Sequence, residues 1–395
     1  MKKKLTAMLL IMSMVCTFLP VSAMAEEAAP AGNEAAVVSA NGNTTEYATL
    51  QGAIDAAQDG ETVKLLKDVT TTSTYSSDTR YSIGIKDKSI TLDGQDKFTL
   101  DVSNTQRGFY VEGGSDAQAP KQVTFQNITI KNKTSLGRCI DTRGGYMNLT
   151  LDHVNLDLTE SNDNSQALTI GGDHRGLDEG YLMPVTIKNS TITTNDAGYG
   201  IVTFNPVDMT IENSNITGYA ALFLKGPDSS TGSRGSKVDI VNGSVLTGNN
   251  PHTAESNSSF GTICVDDINI IVNVQDSKIV TNATNSAEQY TFSFNTKANK
   301  TGQVNISGNS IIELMGDNAF FNDIYPNAEV QQQKTTITGG TFTKDNAPLD
   351  VTDYLDANLT QNPDGTIVPM DAADATAKVG NDYYKEPYCC CKSSQ

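Results

Sequence analysis

The chain is 395 residues long, with a formal net charge of −18 at pH 7, no tryptophan and six cysteines. Such acidity argues against a nucleic-acid partner, whose phosphates must be met by surplus Lys and Arg; it also disfavours a polyanionic substrate unless cations bridge the two, although secreted proteins are often acidic simply for solubility. The length allows one large domain or two small ones, and the sparse cysteines do not form a disulfide framework.

The start reads Met1-Lys2-Lys3-Lys4, then runs apolar from Leu5 to Leu19 and closes on Ala23-Met24-Ala25. A basic start, a short apolar core and an Ala-x-Ala end predict a signal peptide over 1–25, cleaved after Ala25. Thr6, Ser13, Thr17 and Pro20 make the run a poor membrane span. Val15 ahead of Cys16 disfavours a lipid anchor. No later stretch could cross a bilayer, so no integral membrane segment is expected after the leader is removed. The expected location is secreted and extracellular, with surface association left open. Residues 26–44, rich in Ala, Glu, Gly and Asn, read as a flexible linker.

Leu50, Ala53, Ile54 and Ala57 follow helical spacing, with Thr49 as N-cap and Gly60 as terminator. Glu61-Thr62-Val63-Lys64-Leu65-Leu66 reads as the first strand, and the helix is expected to cap it. A phrase then recurs: aliphatic, polar, aliphatic, polar, a bend residue, two polar residues, aliphatic. Clear copies are Val185-Thr186-Ile187-Lys188-Asn189-Ser190-Thr191-Ile192 and Met209-Thr210-Ile211-Glu212-Asn213-Ser214-Asn215-Ile216. Alternation of period two sends the aliphatics to one face. The bend positions are Gly94, Asn127, His153, Asn189, Asn213, Asn242, Asp276, Gly308 and Gly339, residue types that tolerate positive φ.

A further strand follows in most coils after a small residue, as in Gly108-Phe109-Tyr110-Val111 and Ala167-Leu168-Thr169-Ile170. Coils of this length stack into a solenoid. The expected fold is all-β, a right-handed parallel β-helix over 45–368 with an N-terminal capping α-helix. A sandwich would need regularly spaced hairpin turns, which are missing. Val351 to Leu355 reads as a helical turn and Gly365 to Val368 as a last strand. Residues 369–395 form a polar tail, or the start of a truncated further module. Cys139 and Cys264 sit in apolar runs and read as small buried hydrophobes; Cys389, Cys390 and Cys391 close the tail.

The run from Tyr47 to Val63, Tyr-Ala-Thr-Leu-Gln-Gly-Ala-Ile-Asp-Ala-Ala-Gln-Asp-Gly-Glu-Thr-Val, resembles the N-terminal cap of pectate-lyase-like right-handed β-helix proteins. With Ile337-Thr338-Gly339-Gly340-Thr341-Phe342, it is similar to secreted or surface β-helix proteins of gut-type bacteria. The resemblance spans Glu46 to Val368 and implies the fold. That fold carries lyases, hydrolases and adhesins alike, so it does not decide the activity.

Leu151-Asp152-His153 is similar to a phrase of pectate lyases, but His153 falls in the bend column and the arginine phrase of those enzymes is missing. Val265-Asp266-Asp267 offers paired acids without the partner phrases of hydrolases; adjacent acids at a strand end are usually solvated. The segment from Gly171 to Tyr181 gathers Asp173, His174 and Arg175 in one loop between coils. Loops on rigid scaffolds often carry function, so these three are the candidate binding residues; an ordinary exposed loop is the plainer reading. No catalytic residue, cofactor or metal is assigned. The expected function is a binding or adhesion module toward an extracellular glycan or a host or cell-surface component, acting as a monomer. The alternative is a carbohydrate-active lyase or hydrolase with loop-borne catalytic residues.

Overall fold

In a computed structural model, the repeated phrases become strands that pair in parallel, coil upon coil. The structure describes residues 32–161, 164–171, 180–225, 235–249, 261–266, 269–282, 290–294, 302–321, 335–371, 377–379 and 382–384. The aliphatic alternation does what its period requires. Ile187, Ile211 and Ile240 occupy equivalent rungs of successive strands, and each is 0% exposed. The chain is a right-handed parallel β-helix of the all-β class.

The bend column sets the cross-section. Asn127, His153, Asn189, Asn213, Asn242 and Asp276 have φ between 45° and 54°, and Gly308 has φ 65°. The Asn213 amide donates to Asn189 Oδ1 at 2.9 Å, and Asn189 donates to Asp152 Oδ1 at 3.1 Å. Asn242 instead donates to Glu212 Oε1, so the asparagine stack ends there. Gly94 and Gly339 lie outside the left-handed region; Gln95, Asp96 and Gly340 adopt it in their place. After Gly94 the chain makes an extra turn, with the Phe98 N–H donating to the Gly94 carbonyl. That turn displaces the left-handed residues along the chain.

A serine column follows the bend. Ser190 and Ser214 are buried, yet each hydroxyl donates to a carbonyl two residues back in its own coil. Each also accepts a backbone N–H from the preceding coil. The polar atoms thus enter the interior fully paired, which removes the cost of burying them.

Strands on both sides of the bend belong to one 21-stranded sheet. Lys121–Lys131 and Met147–Leu158 run through their bends without a break. A second sheet of nine strands, from Tyr81–Lys86 to Ala319–Phe321, closes the cross-section. Its entry corner demands small residues: a Cβ on Gly108 would lie 2.5 Å from the Cys139 carbonyl oxygen. Between the sheets the core is aliphatic, with edge-on aromatic contacts such as Phe109 against Phe125 at 5.0 Å. Cys139 and Cys264 are buried there as free thiols, and burial pushes both thiols up in pKa.

At the N-terminal end, Leu50–Ala56 is helical, and the Thr49 side chain accepts the Gly52 N–H. Leu50, Ala53, Ile54 and Ala57 are all 2% exposed or less. The helix ends before Gly60, and the Lys88 ammonium donates to the carbonyls of Ile54, Asp55 and Ala57. The Gln51 amide exchanges two hydrogen bonds with the Gly84 backbone, completing the edge of the second sheet as a strand would.

The linker expected over 26–44 gives way to structure from Ala35 onward. Ala35–Val38 is a strand that pairs antiparallel with both Thr44–Tyr47 and Glu61–Leu65. The reason is physical: the first parallel strand has an open edge, and Ala35, Ala36 and Val37 pack there at 7% exposure or less. At the other end, Thr352–Tyr354 is a 3₁₀ turn and Ile367–Pro369 a strand paired antiparallel with Leu359–Gln361. In the tail, Ala377–Val379 and Asp382–Tyr384 form a hairpin. The predicted leader and Cys389 to Cys391 lie outside the described residues.

Candidate binding site

Asp173, His174 and Arg175 lie outside the described residues. The exit of their loop is fixed by Tyr181, whose hydroxyl donates to the Met147 carbonyl at 2.9 Å and whose ring meets Tyr146 edge-on. Asp267 is outside the described residues too. His153 has the bend conformation, and its Nδ1 pairs with Asp152 Oδ1 at 2.8 Å. Asp152 is further held by the Lys188 ammonium at 3.0 Å. The Asp-His phrase is therefore part of the bend column.

Two outward features gather polar groups. The first is a groove beside the bends, of about 350 Å³, lined by Phe98, Thr99, Thr129, His153, Asn155 and Thr191 among others. The extra turn after Gly94 builds its wall, with the Lys97 ammonium 4.9 Å over the Phe98 ring. Its floor is a ladder: Thr99, Thr129, Asn155 and Thr191 occupy matching rungs of successive coils, and Asn215 continues the ladder beyond the groove. On the other side of the bend, Thr62, Thr91, Thr124, Thr150, Thr186 and Thr210 form an unbroken threonine ladder. Neighbouring hydroxyls in such ladders recur at about 4.8 Å.

The second feature is ionic and sits on the second sheet. Tyr81, Arg107, Arg138 and Gln166 fill one ladder, and Tyr110, Asp141 and Thr169 another. Asp141 is 0% exposed. Its Oδ2 accepts from the Tyr81 hydroxyl and from Arg138, both at 2.8 Å. Arg107 donates to the Tyr81 hydroxyl at 2.9 Å and stands 3.4 Å from the same carboxylate oxygen. Arg143 approaches Oδ1 at 4.0 Å. Burial, reinforced by the Asp141 charge, pushes the Tyr81 hydroxyl up to about 12. Tyr110 rests edge-on against Tyr81 and tilted against Tyr75, giving the cluster an aromatic flank.

Residue-by-residue reading of the sequence missed this cluster. The available signal was positional: Arg107, Arg138 and Gln166 each open a strand of the second sheet and immediately precede its small corner residue.

A family model described as "putative pectate lyase-like adhesive domain" matches residues 42–162. The matched stretch contains Tyr81, Arg107, Arg138, Asp141 and Arg143, and most of the groove lining. Together with the parallel solenoid, the match fits a pectate-lyase-like β-helix family. No curated protein and no solved structure matches the chain. Among the described residues, no helix is long and apolar enough to cross a membrane.

Proposed function

We propose that the chain is an extracellular binding and adhesion module, secreted or held at the cell surface, that retains a glycan or cell-surface ligand without cleaving it. The observation that carries this reading is the unbroken Thr/Asn surface: the threonine ladder from Thr62 to Thr210 and the Thr/Asn ladder from Thr99 to Asn215, part of which floors the groove. Uncharged hydroxyls and amides in fixed rows bind polyhydroxylated surfaces through many weak, additive hydrogen bonds. The adhesive family matched over 42–162 supports the same reading, and so does the leader pattern at the N-terminus.

The test is a glycan-array screen of the purified chain, followed by product analysis of every hit. Retention of a ligand that stays intact is the expected result, and polygalacturonate stays uncleaved with or without calcium. A carbohydrate-active enzyme is the second reading. It is favoured by one observation, the convergence of Tyr81, Arg107, Arg138 and Asp141 from neighbouring coils. Products released from a retained glycan would decide for it.

A further inference from the structure

The chain is acidic overall, with a formal net charge of −18, yet the second sheet reverses that sign locally. Three guanidiniums against one carboxylate leave a surplus of two positive charges around Asp141. The side chains of Arg107, Arg138 and Arg143 are only 21%, 17% and 19% exposed, so solvent screens them weakly. Burial, and then the like charge of Arg107, oppose protonation of Arg138, with the Asp141 carboxylate working the other way.

The donor count is as uneven as the charge. Three guanidiniums carry about fifteen N–H donors. Among the described residues, one Arg107 nitrogen bonds to Tyr81 and one Arg138 nitrogen to Asp141. Among the described residues the Arg143 side chain makes no hydrogen bond, since 4.0 Å to Asp141 is too far for one. On the acceptor side, Asp141 Oδ1 is buried without a hydrogen-bond partner. A buried carboxylate oxygen without a hydrogen bond, beside guanidiniums that use few of their donors, is an arrangement that folding alone does not favour.

We infer that Arg107, Arg138 and Arg143 form a binding site for a sugar carrying a sulfate or phosphate ester, with Asp141 accepting a hydrogen bond from a neighbouring hydroxyl of the same sugar. The inference rests on the binding reading above and deepens it. A planar carboxylate is satisfied by one guanidinium in a two-pronged contact. Three guanidiniums reaching from two strands suit the three terminal oxygens of a tetrahedral ester. Arg143 has the longest contact with Asp141, 4.0 Å to Oδ1: turning toward the ester, it vacates the space beside Oδ1 that the sugar hydroxyl fills. Tyr110, half-buried and edge-on to Tyr81, flanks the site and offers the sugar an aromatic surface.

The test is calorimetric titration of the full chain with glucose 6-sulfate, glucose 6-phosphate, glucuronate and glucose. Binding of one or both esters, at least tenfold tighter than glucuronate or glucose, is expected. The two esters separate by pH: phosphate binding strengthens between pH 5 and 7.5 as its second proton leaves near pH 6, whereas sulfate binding stays level. Arg143→Gln and Arg107→Gln should each weaken ester binding tenfold or more. Among the described residues the Arg143 side chain makes no hydrogen bond, so its variant keeps the test valid if Arg107→Gln melts early. Equal binding of glucuronate, an unchanged affinity in Arg143→Gln, or no response to either ester would overturn the assignment. If neutral glycans are still retained on the array in that case, the adhesion reading survives alone; if nothing is retained, both fall.

Discussion

Asn213 offers a direct test of what sets the cross-section of the coil. Its φ is 45°, and its amide donates to Asn189 Oδ1 at 2.9 Å on the surface. Replacing it with Gly keeps the left-handed bend but removes that bond, a loss of about 0.5 kcal/mol at an exposed site. The freed backbone adds roughly 0.5–1 kcal/mol in the unfolded chain's favour. Replacing it with Ala removes the same bond and places a Cβ in the left-handed region, which costs about 1–2 kcal/mol. The two estimates put Ala about 0.5–1 kcal/mol below Gly, the reverse of their usual order within regular structure. Val should be worse again, because a branched Cβ fits that region least. Guanidinium denaturation of the four proteins, compared by midpoint at equal slope, gives the ranking Asn, Gly, Ala, Val. An Ala variant as stable as the Gly variant would show that the bend does not depend on left-handed backbone, and the reasoning about the column would fail.

Ile54, 1% exposed on the N-terminal helix, should tolerate no charge: Ile54→Asp is expected to cost roughly 3–5 kcal/mol, as for an uncompensated buried ion, and an unchanged melting temperature would show that the helix does not close the end of the solenoid. A Cβ on Gly84 would lie 2.2 Å from the Tyr75 ring, so Gly84→Ala should cost about 1–3 kcal/mol and alter tyrosine fluorescence, which no tryptophan masks; unaltered emission would mean the ring does not rest there. Hydrogen bonds from Lys121 and Arg80 hold the Asp59 and Asp78 carboxyls below their ordinary value of 3.8. Carboxyls with depressed folded-state pKa values stabilise the fold above that value and lose the contribution as pH falls through the folded value. The melting temperature should therefore stay level from pH 7 to 5 and fall below about pH 4; Lys121→Met should shrink that acid-side fall, and an equal fall would remove Asp59 from the account.

Sequence alone reveals this fold where a residue type answers a local demand. Asn127, His153 and Asn213 announce left-handed backbone, and the aliphatics around Ile187 and Ile211 announce a face, because both signals repeat within each coil. Ala35–Val38 is different. Its pairing with Glu61–Leu65 is antiparallel and occurs once, so no period marks it. The displacement at Gly94 is hidden for a related reason: an inserted turn moves the left-handed residues to Gln95 and Asp96 without changing the phrase. The ionic cluster is the hardest to see. Tyr81 and Asp141 are 60 positions apart, and only the parallel register of the intervening coils makes them neighbours. Reading the ladder position ahead of each small corner residue would have aligned Arg107 with Arg138.

The antiparallel strand Ala35–Val38 also governs what the molecule can become. A parallel coil hands its neighbour the same pattern of donors and acceptors that it received, which makes every free rim a template for one more copy. Ala35–Val38 occupies the open edge of Glu61–Leu65 in the reverse direction, and Thr44–Tyr47 folds back along its other side as a short outer strand. Growth from this rim is opposed by the make-up of the outer strand: Thr44, Thr45 and Glu46 are exposed, so an incoming coil meets a short, polar, charged edge. Trimming the chain up to Tyr47 would restore the template on Glu61–Leu65, and a discrete particle would be converted into the seed of a filament.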